Sequence, residues 1–424
     1  MVGEIVFHLG DCKTGTTSIQ RTLAAGKVTS AGRSVIYSTR SHHIPLASTL
    51  NRAAEAKFAD KRFSDLAQKL QRSSADTAIV SAETFEFVDP RKLEQMIDRH
   101  LAPWKGKMRF ISYVRPHADR MVSGFAERTK QGWHTGSMDD LADRFDKKGL
   151  LHFAPRFQRW RDTFGEAHSV RPMVRSLLRD GDVVNDFLHF VFEGESFSYE
   201  PVPVANESLT LSDLAALRRM HGVLERRAGS AAAVQAARRT FGWNLAILLS
   251  DLPKPEDAGK PRLHEALAHR LIETYREDAE TVDRAFLGFE PGTGPLSKAL
   301  HDAPARAVPA PQPIAAEAYF EPAALRMIDG TAELFARMLH DQPELMAKAM
   351  RVPGPGAVSA PSRPQNKGKG KPGPGRTPGA RRAARLKGGP AGRKAQPASA
   401  AGRLARRLPK GLRRKLSPLR RYLP

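Results

Sequence analysis

The sequence predicts an α/β fold: a parallel β-sheet flanked by helices, followed by a helical C-terminal part and a basic, disordered tail. Short runs rich in β-branched residues alternate with longer segments of helical periodicity through the first 150 residues. Such alternation is typical of a parallel sheet that is covered on both faces. From about residue 151 the pattern is mostly helical, and residues 352–402 have almost no large apolar side chains.

The strands of this sheet are predicted from short apolar runs at 5–9, 34–37, 77–81 and 110–114, with one more at 168–171. Helices are predicted at 17–25, 63–72, 91–101 and from about 118. In the second of these helices, Phe63, Leu66, Ala67 and Leu70 recur with the period of an α-helix. Strand and helix therefore alternate along the chain.

Composition divides the chain into four regions. Residues 1–290 are predicted to form the α/β domain, which ends in a long helical pattern. Residues 291–315 are rich in Pro, Gly and Ala and are predicted to be a linker, and 316–351 are predicted to be a helical extension. Residues 352–424 are predicted to be a largely disordered tail, because they offer too little apolar surface to bury.

The net positive charge of the chain is concentrated in this tail. The formal net charge is +23, and the residues after Arg351 include about 20 Lys or Arg but no Asp or Glu, so roughly +3 is left for the rest. An anionic membrane surface or another polyanion is therefore an expected partner of the tail.

Targeting and redox signals are sparse. The N-terminus is no signal peptide, and no stretch approaches the roughly 20 apolar residues of a membrane span. The protein is therefore expected in the cytoplasm, either free or peripheral at a membrane. The single cysteine, Cys12, excludes an intramolecular disulfide.

Residues 10–17, Gly-Asp-Cys-Lys-Thr-Gly-Thr-Thr, lie between the first predicted strand and the first predicted helix. The two glycines let the backbone approach an anion closely, and free N–H groups at the helix start point towards it. Lys13 adds a full positive charge, while Thr14, Thr16 and Thr17 add hydroxyl donors. The Walker A loop places its lysine directly after the second glycine, but here the lysine comes two residues before it. A phosphate-binding loop of another kind is therefore predicted.

The run Lys13-Thr14-Gly15-Thr16-Thr17 resembles the 5'-phosphosulfate loop of sulfotransferases that use PAPS (3'-phosphoadenosine-5'-phosphosulfate). With His8-Leu9-Gly10 ahead of it and Ser18-Ile19-Gln20 behind, it is similar to the form in a bacterial branch of that family. The resemblance implies a P-loop NTPase-like fold and transfer of a sulfuryl group from PAPS to a hydroxyl or amine. It also implies that these five residues bind the donor and that the lysine is catalytic.

A second motif of the same family follows the strand predicted at 110–114. In these sulfotransferases a strand ends in Arg, a Ser follows eight positions later on the next helix, and the pair grips the 3'-phosphate of PAPS. Arg115 and Ser123 have this spacing. Pro116 directly follows the arginine, where the family usually has one residue between, so the turn differs while the register is kept. The resemblance implies that Arg115 and Ser123 bind the donor, and it covers at most residues 1–290.

Glu83, which follows the strand predicted at 77–81, is the predicted catalytic base. Glycan-modifying sulfotransferases carry a Glu near this place with Lys after it, whereas Thr84 follows here. A carboxylate just beyond a buried strand is well placed to take the proton of the acceptor. His42 and His43 are alternative bases, and His8 is expected to be structural.

The implied reaction is an in-line displacement at sulfur, in which positioning and charge stabilisation dominate. It requires no metal, and the sequence shows no cluster with metal-ligand spacing. Lys260 and Arg262 are either part of a basic loop that closes over the nucleotide or solvated charges. The acceptor class stays open, since a saccharide, a lipid and a small metabolite all fit.

Two other functions are compatible with the sequence. An ATP-dependent P-loop kinase is disfavoured by the position of Lys13 and by the absence of a convincing Walker B carboxylate. A polyanion- or membrane-binding protein would act through the tail, which places leucines among arginines and lysines near its end. Pro409 and Pro418 would divide any helix there into two short pieces.

Overall fold

Seven strands are present in the described part of the protein, which in this computed structural model comprises residues 1–202, 209–229, 231–254 and 259–350. They are β1 (Glu4–His8), β2 (Val28–Ser30), β3 (Val35–Tyr37), β4 (Thr77–Ser81), β5 (Met108–Val114), β6 (His168–Pro172) and β7 (Phe197–Tyr199). Five of them form one sheet in the order β3-β4-β1-β5-β6. Every neighbouring pair in that sheet is parallel. The predicted α/β fold with a parallel sheet is therefore confirmed.

The sheet buries side chains on both faces, because successive residues of a strand point to opposite sides. On one face Phe7 of β1 stacks on Phe110 of β5, with ring centroids 5.2 Å apart. On the other face Val6 and Ile111 belong to a separate buried cluster. Burial on both sides explains why these strands read as continuous apolar runs in the sequence.

Eight helices accompany the strands. They are α1 (Thr16–Ala25), α2 (Ile44–Asn51), α3 (Ala59–Gln71), α4 (Pro90–His100), α5 (His117–Lys130), α6 (Met138–Lys147), α7 (Phe153–Phe164) and α8 (Val183–Val191). Helices α1 and α8 cover one face, where Ile19 and Phe187 are buried. Helices α3, α4 and α7 cover the other with Phe63, Leu93 and Trp160. The sheet is thus the middle layer of three.

The later part of the described chain is helical, as predicted. Its helices are α9 (Leu211–Ala228), α10 (Ala232–Asp251), α11 (Glu265–Leu287), α12 (Pro295–His301), α13 (Pro322–Asp341) and α14 (Pro343–Ala349). Helix α11 packs beside α5 and α7 around the buried side chains of Leu271 and Val282. Helices α9, α10 and α13 form another cluster, which includes Leu224, Phe241 and Leu339.

Residues 291–315 are not the linker that their composition predicts. Within them lies α12, and its Leu296 is fully buried in the same cluster as α11. The carboxylate of Asp283 accepts a hydrogen bond from the backbone N–H of Leu296 at 3.1 Å. The composition misleads because a proline at the first helical position, here Pro295, favours a helix start. The packed domain therefore extends past residue 290.

Strands β2 and β7 form a separate antiparallel pair that the sequence did not predict. Each has only three residues, too few to show an alternating pattern. The tail predicted at 352–424 lies outside the described residues. Among the helices of the described residues, none combines the length and the apolar character needed to cross a membrane.

Candidate active site

Three neighbouring strands, β4, β1 and β5, bring together the segments that the sequence singles out. Strand β1 pairs in parallel with both β4 and β5, so all three end at the same edge of the sheet. Residues 10–17 follow β1, Glu83 follows β4 and Arg115 follows β5. Open α/β sheets bind their ligands at this carboxyl edge. The predicted donor and acceptor residues therefore share one edge.

The loop after β1 turns through three residues with positive φ. Gly10 has φ 85°, Lys13 has 70° and Gly15 has 77°. A Cβ atom at Gly10 would lie 2.5 Å from the Cα atom of Glu83, so only glycine fits where the loop passes the end of β4. For Lys13 this conformation costs about 1–3 kcal/mol, and strain of this kind is concentrated at functional sites.

Helix α1 begins directly after the loop and directs its unpaired N–H groups towards it. No side chain caps the helix at Gly15, and although the N–H of Ser18 donates to the carbonyl oxygen of Gly15 at 2.9 Å, the N–H groups of Thr16 and Thr17 have no acceptor among the described residues. The hydroxyls of Thr14 and Thr16 donate to the carbonyl oxygen of Asp11 at 2.6 and 3.3 Å. Thr17 is exposed. The two buried threonines therefore hold the loop in shape, while Thr17 and the backbone N–H groups face a potential anion.

The ammonium of Lys13 lies against Glu127 of α5, with Nζ 3.1 Å from Oε2. Lys130 lies 4.0 Å from the same oxygen, and Gln131 donates to Oε1 at 2.6 Å. Burial would raise the pKa of Glu127, but the ammonium groups of Lys13 and Lys130 outweigh burial and lower it. Glu127 is therefore an ionised carboxylate that holds the Lys13 side chain beside the loop.

Glu83 begins the short 3-10 turn Glu83–Phe87 that follows β4. Burial raises the pKa of its carboxyl group, the charge of Glu127 raises it further, and Lys13 partly opposes the shift. Within the described residues no side chain or backbone group donates a hydrogen bond to this carboxylate. A carboxylate with a raised pKa and an open lone pair suits a general base.

Arg115 reaches from the end of β5 to the phosphate loop. Its Nη1 donates to the carbonyl oxygen of Lys13 at 3.1 Å, and its Nε is buried with no partner in the described residues. In that same part of the chain Arg115 forms no salt bridge, and burial lowers the pKa of its guanidinium. Pro116 directly precedes α5, so the departure from the family pattern leaves the helix start in place. Arg115 thus brings a positive charge to the loop without a direct salt-bridge partner among the described residues.

Ser123 lies two turns into α5 and is half-buried. It precedes Glu127 by four residues, so both side chains lie on the same face of the helix. Within the described residues its hydroxyl has no hydrogen-bond partner. The structure therefore places Ser123 on the helix that carries the partner of Lys13.

A network of buried charges, which the sequence analysis missed, supports the loop. Arg156 of α7 donates to Asp11 at 2.6 Å and to Glu86 at 3.0 Å. Arg120 of α5 donates to Glu86 at 3.3 Å, and the backbone N–H of Cys12 donates to the other oxygen of Glu86 at 2.9 Å. Two carboxylates thus meet two guanidinium groups, and the network holds the loop at two consecutive residues.

The two carboxylates of this network differ in their ionisation. Burial raises the pKa of Asp11 to about 7, although Arg156 opposes the shift. Burial acts on Glu86 in the same direction, but Arg120 and Arg156 outweigh it and lower its pKa. Burial also raises the pKa of the Cys12 thiol well above its usual value, so Cys12 is not a reactive thiolate.

Two of the histidines near this edge, His8 and His43, are engaged in structural contacts. The Nδ1 of His43 accepts from the backbone N–H of Ser81 at 3.1 Å, its Nε2 lies 3.2 Å from the Ser38 hydroxyl, and burial lowers its pKa to about 4. His8 contacts the Ser81 hydroxyl at 2.9 Å, and burial lowers its pKa to about 3. Burial lowers the pKa of His42 as well. Glu83 is therefore better placed than His43 to take a proton.

The segment with Lys260 and Arg262 is tied to the chain near residue 306. The guanidinium of Arg262 donates to the carbonyl oxygen of Arg306 at 2.6 and 3.1 Å. Lys260 is exposed. Arg306 in turn pairs with Asp119 of α5 at 3.1 Å. Of the two alternatives for this segment, the contacts of Arg262 favour a structural role.

A cavity of about 510 Å³ lies elsewhere, between α9, α13 and residues 314–317. Arg218, Arg219 and Glu317 contribute to its lining, and none of the predicted site residues does. In the described residues no group of three or more His, Cys, Asp or Glu side chains could hold a metal ion.

Part of what the sequence analysis missed had a signal in the sequence. Arg120 stands three residues before the predicted Ser123 and Glu127 four residues after it, which places both on the same face of the helix as Ser123. Glu86 and Arg156 stand 70 positions apart, and no spacing rule connects them. Their pairing follows only from how α7 packs against the end of β4.

Comparison with known proteins gives limited results. No protein-family model matches the chain, and no curated protein sequence matches it. The fold is similar to a crystal structure of a sulfotransferase from Alicyclobacillus acidocaldarius, with 12% identity and a TM-score of 0.37. The alignment covers 68% of this chain and 97% of that chain. At this degree of overlap the likeness carries no argument about activity.

Proposed function

We propose that the protein is a sulfotransferase that moves a sulfuryl group from PAPS to a hydroxyl or amine acceptor. The observation that supports this most is the meeting of two donor motifs at one sheet edge. Arg115 donates to the carbonyl oxygen of Lys13, so the predicted 3'-phosphate residue touches the predicted phosphosulfate loop. The two residues are 102 positions apart in the chain, and each belongs to a different motif.

Three sets of hydrogen-bond donors or positive charges would hold the anionic donor. The first-turn N–H groups of α1 and the hydroxyl of Thr17 would bind the 5'-phosphate. The guanidinium of Arg115, which forms no salt bridge with a described residue, would bind the 3'-phosphate together with Ser123. The strained backbone of Lys13 directs its ammonium to the space between loop and α5, where the phosphosulfate would lie.

In the chemical step a lone pair of the acceptor oxygen or nitrogen attacks sulfur, and the bond from sulfur to the bridging oxygen breaks. Lys13 would neutralise the charge that grows on that oxygen as adenosine 3',5'-bisphosphate leaves. Glu83 would take the proton of the acceptor. Glu127 supports both roles, because it holds Lys13 in place and raises the pKa of Glu83.

The test is calorimetric binding of adenosine 3',5'-bisphosphate and of ATP to the full chain. We expect the bisphosphate to bind more tightly, because Arg115 and Ser123 have no counterpart in a Walker-type site. Arg115→Gln should weaken bisphosphate binding by roughly 10–100-fold, as expected for a lost charge-assisted contact. Arg276→Gln on α11, an exposed arginine, is the matched control and should bind as the wild type does.

Two results would contradict the proposal. ATP that binds as tightly as the bisphosphate would favour the kinase alternative. If Arg115→Gln and Arg276→Gln bind the bisphosphate with equal affinity, the donor does not bind at this edge of the sheet. A transfer assay with labelled PAPS and a panel of acceptors then tests catalysis itself.

The role of the basic tail stays a separate prediction. A chain that ends at residue 351 should keep its affinity for the bisphosphate and lose its retention on anionic vesicles, because the tail carries most of the positive charge. Equal retention of both chains would remove the tail as the polyanion-binding element.

A further inference from the structure

Beside the candidate base lies a surface formed by Arg52, Trp133, Arg239 and Trp243, which we call the tryptophan–arginine surface. Trp133 is 53% exposed and Trp243 is 46% exposed, which is unusual for side chains of this size. The guanidinium of Arg239 lies over the ring of Trp133, 4.4 Å from its centroid. None of these four residues belongs to the donor motifs.

A chain of contacts connects this surface to the reacting end of the donor site. Lys13 pairs with Glu127, and Glu127 accepts a hydrogen bond from Gln131 at 2.6 Å. The side-chain oxygen of Gln131 in turn accepts from the indole N–H of Trp133 at 2.8 Å. Two side chains therefore separate Trp133 from the ammonium that would meet the leaving group.

Helix α10 is held against the end of α5 by a close backbone contact. A Cβ atom at Gly242 would overlap the carbonyl oxygen of Lys130, so only glycine allows this approach. Arg239 and Trp243 are four residues apart and therefore lie on one face of α10. Arg238 of the same helix donates to the carbonyl oxygen of Gly132 at 3.3 Å, next to Trp133. These contacts fix the surface next to Glu127 and Lys130.

Arg52 closes the surface on the side of Glu83. Asn51, the residue before it, donates to the carbonyl oxygen of Thr84 at 3.0 Å. Thr84 directly follows Glu83. Arg52 therefore stands at the end of α2 beside the turn that carries the candidate base.

The surface has excess positive charge. Arg52 and Arg239 form no salt bridge with any of the described residues, whereas Arg238 pairs with Glu225 at 3.2 Å. Partial burial lowers the pKa of Arg239, and the nearby charges of Arg52 and Arg238 lower it further. Positive charges held this close together favour the binding of an anion between them.

We propose that the tryptophan–arginine surface binds the acceptor, with Arg52 and Arg239 holding an anionic group and the exposed indoles covering the face of a ring. This inference rests on the proposed function and extends it, because it assigns the acceptor a negative charge. A guanidinium fork fits a carboxylate and a phosphate equally well. Indole rings offer a large, rigid apolar face beside that charge. The acceptor is thus a ring that carries its own anionic group as well as the hydroxyl or amine that attacks sulfur.

The experiment is a saturation-transfer NMR titration of the full chain, with and without adenosine 3',5'-bisphosphate. Its probes are two matched sets, namely glucuronate and glucose 6-phosphate against glucose, and 4-hydroxyphenylacetate against its amide. We expect at least one anionic member to bind about tenfold or more tightly than its neutral counterpart. The two sets distinguish a sugar ring from an aromatic ring, and the two sugar anions distinguish a carboxylate from a phosphate.

Substitutions locate the binding. Arg52→Gln and Arg239→Gln should each remove most of the preference for the anion, and Trp133→Ala should weaken the charged and the neutral probe alike. Arg276→Gln is the control for loss of an exposed arginine, and any binding by the basic tail is common to all samples.

The inference is overturned if neither probe set shows tighter binding of the anionic member. It is also overturned if that preference persists in the double variant Arg52→Gln, Arg239→Gln. The same samples report bisphosphate binding by calorimetry, so failure of the donor site is recognised separately. A preference lost in the arginine variants while bisphosphate does not bind would overturn the acceptor role as well, because the surface would then serve another ligand.

Discussion

Replacement of Arg156 by methionine should destabilise the protein strongly, because it removes the shared partner of two buried carboxylates. Methionine keeps the apolar contact with Phe153 and Phe157, whose rings lie 5.3 and 5.0 Å from the guanidinium carbon. What is lost is the pair of hydrogen bonds to Asp11 at 2.6 Å and to Glu86 at 3.0 Å. The change therefore isolates the charge network from the packing of α7.

The magnitude follows from these two bonds. A hydrogen bond to a charged group contributes about 1.5–3 kcal/mol, and breaking a buried ion pair by removing one partner costs about 3–5 kcal/mol. Burial already raises the pKa of Asp11 to about 7, and loss of Arg156 raises it further. The folded variant can therefore relieve part of the cost by binding a proton. We expect the free energy of unfolding to fall by about 3–5 kcal/mol at pH 8, and by about 1 kcal/mol less at pH 6.

The measurement is urea unfolding of the full chain, followed by tryptophan fluorescence, at both pH values. Trp160, which is buried one turn after Arg156 on α7, reports on the same helix. Arg159→Met is the matched control, because Arg159 is an exposed arginine of that helix and should cost less than about 0.5 kcal/mol. A cost for Arg156→Met no greater than that of the control would refute the role assigned to the network. A cost that grows as the pH falls would refute the assignment of the proton to Asp11.

Three further predictions concern the base, the buried histidines and α12. Glu83→Gln should lower turnover by roughly 10²–10⁴-fold with bisphosphate affinity unchanged in calorimetry, and near-full turnover would exclude Glu83 as the base. Burial lowers the pKa of four histidines to about 3 or 4. Between that pKa and the ordinary value of about 6.5, only the unfolded chain binds a proton at each of them. Each histidine should therefore lower the free energy of unfolding as the pH falls below about 6.5, by about 1.4 kcal/mol at pH 5.5. The four histidines are His8, His43, His168 and His221. His168→Gln should reduce the difference in unfolding free energy between pH 7.5 and 5.5 by that amount, and an unchanged difference would count against burial as the cause. Leu296→Ala should lower the free energy of unfolding in urea by about 2–5 kcal/mol, whereas Lys298→Ala at an exposed position should lower it by less than about 0.5 kcal/mol. Equal losses in the two variants would restore the interpretation of 291–315 as a linker.

The central strands β1, β4 and β5 were predictable because each is buried on both faces and therefore appears as a continuous apolar run. The predicted strand at 77–81 coincides with β4, and the predicted run at 110–114 forms the second part of β5. Their parallel arrangement followed from the helices between them. The placement of Glu83 and Arg115 at one edge followed in turn, since parallel strands end on the same side.

The charge network and the contacts of α10 were not predictable, because they depend on packing between distant segments. Nothing in the sequence near Arg156 indicates two carboxylates more than 60 positions away. The close approach at Gly242 likewise appears in the sequence only as a glycine within a helix, where glycine is otherwise unfavourable. The composition of 291–315 even predicts the opposite of what is found, since prolines and glycines occur at helix ends as well as in linkers.

The contact of Gly10 with Glu83 has a consequence for how such a protein could change its substrate. The two backbones approach so closely that main-chain atoms fix the start of the loop after β1 relative to the turn that carries Glu83. The residues proposed to meet the acceptor belong to other segments, namely α2, the turn before α6 and α10. Under the proposed function, mutation in those segments would alter selectivity, in natural divergence or in laboratory evolution, while the spacing between the loop and the Glu83 turn stays constant. A side chain at position 10 would displace the loop and the Glu83 turn together, so this glycine is not free to vary.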